Sequence, residues 1–302
     1  MNANGAVHVI AAGDYEARVV ERGAALCRLR FRGRDLVVPF EAAAPIPDFR
    51  GIVAAPWPNR IADGAYRWDG TVRHLPVNEK DRNTALHGLV YDRLWEMVEH
   101  DDDRLALRCA IAPTPGYPFA LELHATFDLD ADGLTCAVAA TNVGDAAAPY
   151  GVCPHPYLVA GPAPLDEWTL ELPAESFLEV TGDRLLPIGL APVAGHAFDF
   201  REPRVIGATE IDHAFTNITI DDAGRARLLL TDPSGTSVGM AWDEGCPWLQ
   251  VHTADKPAPA PNRLGLAVEP MTCPPEAFTS GTDLIRLYPG STHVAGWTIF
   301  GA

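Results

Sequence analysis

LELHATFDLDADGLTCAVAATNV, running from Leu121 to Val143, alternates apolar and polar residues on both sides of Asp132-Gly133. Alternation at period two marks a half-buried strand. An Asp-Gly pair between two such runs marks a hairpin, because glycine supplies the positive φ that a tight reversal needs. The same figure recurs outward in both directions. AYRWDGTVRHL reverses at Asp69-Gly70 and RLLLTDPSGTSVGMAW at Ser234-Gly235. EARVVERGAALCRLRFRGRDLVV reads as strand, turn at Gly23, strand, turn at Gly33 to Asp35, and strand again. Helical periodicity is scarce, and 27 prolines and 26 glycines punctuate the short runs. The chain therefore reads as all-β and mostly antiparallel. Its 302 residues are expected to form one domain over 1–302, a length that a β-sandwich can reach alone.

The charge balance narrows the partners. With 23 basic against 40 acidic residues the formal charge is −17, which argues against nucleic acid and against an anionic membrane surface. No apolar run is long enough for a membrane span. The opening MNANGAVHVIAAGDYEARVV lacks the basic start and long apolar centre of a secretion signal, so a cytoplasmic protein is expected. Six cysteines without a CxxC pair form neither a disulfide framework nor a structural zinc signature. Cys153-Pro154-His155 could be half of a metal site, but no second cluster lies near it in sequence, and no metal or cofactor is expected.

Chemistry-bearing residues collect at strand ends among Gly, Pro and aromatics, where binding residues tend to gather. In GVCPHPYL, His155 lies between Pro154 and Pro156, so its backbone is stiff and extended and its side chain has little freedom to lose. APWPNRIADGAY places Asn59 and Arg60 after a Pro-Trp-Pro turn, TALHGLVYDRLWE places His87 before Gly88, and EIDHAFT places Asp212 and His213 at a strand start. LGLAVEPMTCPPEAF ends an apolar run with Glu269 before Pro270, and a carboxylate there is costly to bury unless paired or functional. ADKPAPAPNRLG, Ala254 to Gly265, reads as a stiff extended loop that is either a long hairpin connection or a wall over a site.

Taken in order, NRI at Asn59 to Ile61, LHG at Leu86 to Gly88, HPY at His155 to Tyr157, DH at Asp212-His213 and EP at Glu269-Pro270 resemble the aldose 1-epimerase (mutarotase) family along almost the whole chain. The resemblance implies a β-supersandwich of the galactose mutarotase type, without metal. It puts His155 at the general acid and Glu269 at the general base, with Arg60, His87 and Asp212 on sugar-contacting positions. Gln250, in CPWLQVHT, matches another such position, and Asn59 joins the set through the NRI tag. Three departures sit around the sugar pocket: PWPNRI replaces a Gly-Arg-x-Ala-Asn-Arg run, Met271 replaces a glutamine, and HPYL stands for HPYF.

The residue types suit anomer interconversion, in which a base takes the proton of the C1 hydroxyl while an acid protonates the ring oxygen. The acid and base are expected within electrostatic reach of each other across the bound sugar, with Glu269 raising the pKa of His155. Trp57, Trp242 and Trp248 are candidates for an aromatic platform beneath the ring. The expected partner is a small sugar, and the chain a monomer or homodimer. Two other readings stay open. A hexose-6-phosphate mutarotase would need clustered cations, for which Arg201, Arg204 and Arg263 are candidates. A carbohydrate-binding protein of the same fold would have lost catalysis. A glycosidase fits less well, because it ordinarily needs two catalytic carboxylates.

Overall fold

A computed structural model describes residues 3–302. Its largest sheet has nine strands, all antiparallel, and is built around the hairpin of Leu121–Leu129 with Leu134–Asn142. In both strands every second residue is buried. The register sets Leu123 opposite Ala140 and Phe127 opposite Cys136, so one face is apolar except at Asn142, whose amide donates to the carbonyls of Ala146 and Leu287. Removing each of the larger side chains from water contributes roughly 1.5–3 kcal/mol. The C-terminal strand Thr292–Gly301 pairs with Leu134–Asn142 on one side and Ser237–Asp243 on the other, tying the two halves of this sheet together.

A six-stranded sheet carries Tyr157–Leu158, Leu266–Met271, Trp248–His252, Asp212–Ile218, Ala174–Val180 and Pro187–Pro192 in that spatial order. Leu249, Val251, Leu266 and Val268 point into the same apolar cluster as Leu123 and Phe127. Residues of the opposite parity, Gln250, His252 and Glu269 among them, therefore face away from that cluster. A four-stranded N-terminal sheet, Val7–Ala12 to Arg34–Asp35, adds Ile10, Val19 and Leu29 to the core. Among the described residues the helix is limited to Ala277–Ser280 and two 3-10 turns, Pro47–Phe49 and Leu165–Glu167. The chain is all-β, as its alternation requires.

The turn signals hold in detail. Asp69 and Gly70 both have positive φ, the conformation of the two-residue hairpin their sequence announces. One turn differs. Arg34 and Asp35 pair with Phe31 and Arg30 as strand, and Val37 reaches Leu158 only through an isolated bridge. Asp35 is drawn into the sheet by hydrogen bonds from Arg28 and Arg30, at 2.8 and 3.1 Å.

Gly88 packs one backbone against another. Its φ is +79°, and a Cβ there would lie 2.0 Å from the carbonyl oxygen of Ala55. The close contact leaves no room for a side chain, and the positive φ adds strain to any that is placed there. Gly88→Ala should lower stability by at least ~1–3 kcal/mol in a denaturant titration, and an unchanged midpoint would contradict this packing.

Candidate active site

Sheet register assembles the floor of a cleft. Gln250 lies directly opposite Glu269 in one strand pair and opposite Ala214 in the next, while His252 lies opposite Asp212. Tyr157 lies opposite Ala267, two residues before Glu269. Side chains directly opposite share a face, so Glu269, Gln250, His252, Asp212 and Tyr157 all project to one side. The strand continues through Pro270 rather than ending at Glu269. Proline is tolerated there because its nitrogen falls in a gap of the ladder: Val268 N–H reaches Pro156 O and Thr272 N–H reaches Val152 O, and the segment between turns away to pair with Val53–Ala54.

The wall comes from two other segments. The short strands Arg60–Ala62 and Thr84–Leu86 pair with Arg60 opposite Leu86, and His87 N–H donates to Asn59 O at 3.0 Å. Asn59 and His87 both have positive φ, 51° and 59°, which is uncommon for residues with a side chain and aims both at the cleft. On the opposite rim, the Gly51 N–H donates to the His155 carbonyl at 2.8 Å and fixes the histidine between its two prolines. Asp48 and Phe49 precede it. The Phe49 ring lies 4.9 Å from that of His87 and 6.2 Å from that of His155.

His155, Glu269, Arg60, Asn59, His87, Asp212 and Gln250 all line one cavity of about 200 Å³. His155 Nε2 lies 3.3 Å from Glu269 Oε1, in direct contact rather than across a gap. The side chains of this pair are only 7% and 2% exposed, so the cost of charge in a dry site governs both. Burial, reinforced by His252, pushes the His155 imidazole down to about 4, and burial, reinforced by Asp212, raises the Glu269 carboxyl well above the usual carboxylate range. This corrects the expectation that Glu269 lifts the histidine: desolvation outweighs attraction. Both shifts disfavour charge, the imidazole being pushed toward its neutral form and the carboxyl toward its protonated one. Cys153 Sγ donates to the other Glu269 oxygen, Oε2, at 3.8 Å.

The hydrogen-bonding groups around the pair are held in place. Arg60 makes a bidentate contact to Glu79, Nε at 2.8 Å and Nη2 at 3.0 Å. Burial alone would lower the pKa of this guanidinium, but the bonds to Glu79 and the charges of Asp212 and Glu269 raise it. Gln250 Nε2 donates to Asp212 Oδ1 at 2.7 Å, while Gln250 Oε1 has no hydrogen-bond partner among the described residues. His87 is kept neutral, its pKa lowered first by burial and then by His155 and Arg60. Lys256, in the Pro-rich loop, lines the cleft and pairs with Asp48 at 2.5 Å, so this loop borders the site as a wall.

None of the three tryptophans lines this cleft. The indole N–H of Trp57 donates to Ala85 O and that of Trp242 to Cys246 O, both inside the core. Trp248 shares the face of Gln250 but is covered by Met271 and Ala214 and donates to Asp283. Phe49 and Tyr157 are the aromatic rings present instead. His213 turns to the far face, packed 4.7 Å from Phe198, as alternation after Asp212 demands. Arg201 is bound to Asp199 and Glu175, Arg204 to Ala197 O, and Arg263 to Asp166 and Asp255, all away from the cleft. Asp48, Phe49, Glu79, His252 and Lys256 line it without having been singled out. His252 carried a signal, lying two residues after Gln250 in the same strand. The other four sit in turns or loops whose approach is decided by tertiary packing.

Comparison with known proteins agrees with this architecture. The family model for aldose 1-epimerase matches residues 6–299. An uncharacterized protein of Escherichia coli K12, YihR, is 38% identical over 303 residues, covering all of this chain and 95% of its own. The human galactose mutarotase is 31% identical over 186 residues, 58% of this chain and 53% of its own. Among solved structures, an aldose epimerase homologue from C. elegans superposes with a TM-score of 0.85 at 20% identity, over 98% of each chain, and shares the fold.

Glu79 is the anchor of Arg60, and its removal should be measurable. The bonds from Arg60 hold its carboxyl below the ordinary 4.5 against the opposing effect of burial. Its contribution is therefore complete above that value and is lost as pH falls through the lowered one. Glu79→Gln should cost about 1.5–3 kcal/mol at pH 7, and the gap from wild type should close on acidification. A gap that widened in acid would contradict the ion pair.

Proposed function

The chain belongs to the aldose 1-epimerase family, and on that premise we propose that it interconverts the α and β anomers of an unphosphorylated aldose such as galactose or glucose. The observation that carries this reading is the 3.3 Å contact of His155 Nε2 with Glu269 Oε1 in a cleft ringed by hydrogen-bonding side chains. The two reacting oxygens of a cyclic hemiacetal are bonded to one carbon. A donor and an acceptor within reach of each other can therefore address both from one side. Glu269 accepts the proton of the C1 hydroxyl as His155 gives one to the ring oxygen, the C1–C2 bond turns, and the reverse transfers close the ring on the other face. The C1–ring-oxygen bond breaks as the C1 carbonyl forms and re-forms on closure, with proton transfers and no net change of oxidation state, so the reaction needs no redox cofactor and no covalent intermediate. The cavity of about 200 Å³ is below the ~300–1,000 Å³ of drug-sized pockets and suits a monosaccharide.

Arg60, Asn59, His87, Asp212 and Gln250 are the groups we assign to the sugar hydroxyls. Gln250 Oε1 is an acceptor with no partner among the described residues. Glu269 apart, three carboxylates, Asp48, Glu79 and Asp212, line the cleft against two cations, Arg60 and Lys256. That balance weighs against a phosphate dianion on the substrate. Residues 1–302 act as one domain in this reading, and six free, buried cysteines fit a reducing cytoplasm.

His155→Ala and Glu269→Gln should each slow the anomerisation of freshly dissolved galactose by ~100- to 10,000-fold in polarimetry, with sugar binding retained. Unchanged acceleration in both would remove the assignment, and turnover of glucose 6-phosphate above that of glucose would replace the substrate. The pH profile carries a further expectation. In this reading His155 and Glu269 share one proton: gaining a second is pushed below the ordinary histidine value of 6.5, toward about 4, and losing the single one is pushed above the ordinary carboxylate value. kcat/KM should therefore hold through 6.5 on the acid side, fall in stronger acid, and fall again in alkali. An acid limb at or above 6.5 would contradict a buried, shared proton.

A further inference from the structure

The two groups that hold the shared proton are joined by a third. The ligand atoms of His87, His155 and Glu269 all lie within 4.8 Å of one another, and all three residues are buried. We propose that this triangle binds one borderline divalent cation, with Zn²⁺ the best-fitting case, and that the cation occupies the cleft in competition with the sugar. The competition rests on the proposed function, whereas the binding does not.

Three features of the triangle support it. Zinc bonds of ~2.0–2.1 Å in tetrahedral geometry require ligand atoms about 3.3 Å apart. His155 Nε2 and Glu269 Oε1 are already 3.3 Å apart. The His87 ligand atom lies within 4.8 Å of both, so this third corner is the one that has to close in on the ion. The donor set is two imidazoles and one carboxylate, which favours zinc over magnesium or calcium, whose preferred ligands are oxygens.

The surroundings hold these ligands in place. Cys153 donates to Glu269 Oε2 and leaves Oε1 free to ligate. The His155 carbonyl is tied to Gly51 N–H and the His87 backbone N–H to Asn59 O, which fixes both backbones, while Nδ1 of each ring has no hydrogen-bond partner among the described residues. Arg60, the nearest permanent cation of the wall, is engaged by both oxygens of Glu79. Binding exchanges one species for another: the cation takes a lone pair from His155 Nε2, Glu269 Oε1 and one His87 nitrogen, and any proton those atoms carry leaves to solvent. This site differs from the Cys153-Pro154-His155 half-site considered from sequence. The thiol supports a ligand instead of being one.

The test is titration calorimetry of the full chain with ZnCl₂, after chelator treatment and without sugar. Wild type should bind one zinc per chain. His87→Ala and Glu269→Gln, checked for intact β structure by circular dichroism, should each weaken that binding at least about tenfold. Absence of saturable binding, or binding unaffected by either variant, would overturn the proposal. In polarimetry, zinc should slow anomerisation, with recovery on adding EDTA or excess galactose. Zinc bound at this triangle in a protein without mutarotation would support the site and remove the function. Mutarotation indifferent to saturating zinc would overturn the competition.

Discussion

Two titratable side chains, one imidazole and one carboxyl, lie almost wholly out of water and in contact with each other. Isolated charge in such a place would cost several kcal/mol. The contact between His155 and Glu269 makes burial tolerable in the proposed reading, where one proton serves both and the pair needs no net charge. The cleft depends on that arrangement. Two of its other polar contacts are made in advance, Arg60 with Glu79 and Gln250 Nε2 with Asp212, so these groups have little to reorganise when a polyol enters.

The fold supplies the pair from distant parts of the chain without a helix to carry either member. Glu269 is placed by register: an apolar strand buries Leu266 and Val268 against the large sheet, and alternation sends Glu269 the other way. A slip of one residue would reverse every one of these faces. His155 is placed by constraint, with proline on either side and its carbonyl tied to Gly51. The wall opposite uses positive-φ backbone at Asn59 and His87, conformations that persist only because neighbours such as Gly88 pack against backbone with no room for a side chain. Stability and site geometry meet at that glycine.

The fold class was legible because alternation is a strong signal wherever one face of a strand is buried, as the Leu121–Asn142 hairpin shows. That Asn59, Arg60, His87, His155, Asp212 and Glu269 gather in one cleft was legible from the short tags they stand in, whereas Gln250, in mid-strand, came only through a looser match. What escaped the sequence has physical reasons. Whether a tryptophan is platform or core depends on where its N–H finds an acceptor, and Trp57, Trp242 and Trp248 all find one away from the cleft. Asp48, Phe49 and Glu79 approach through loops whose path only packing decides. The protonation of the pair was misjudged for a related reason: residue spacing reveals a nearby carboxylate but not the depth of burial that outweighs it.

If His155 and Glu269 act as one proton-holding unit, their contributions to rate cannot be independent. The decisive measurement is a double-mutant cycle on the anomerisation of galactose, comparing His155→Ala, Glu269→Gln and the combined variant by polarimetry. A combined variant about as slow as the slower single variant is the predicted result. Losses that multiply, as for two groups working separately, would contradict the shared proton on which the account rests.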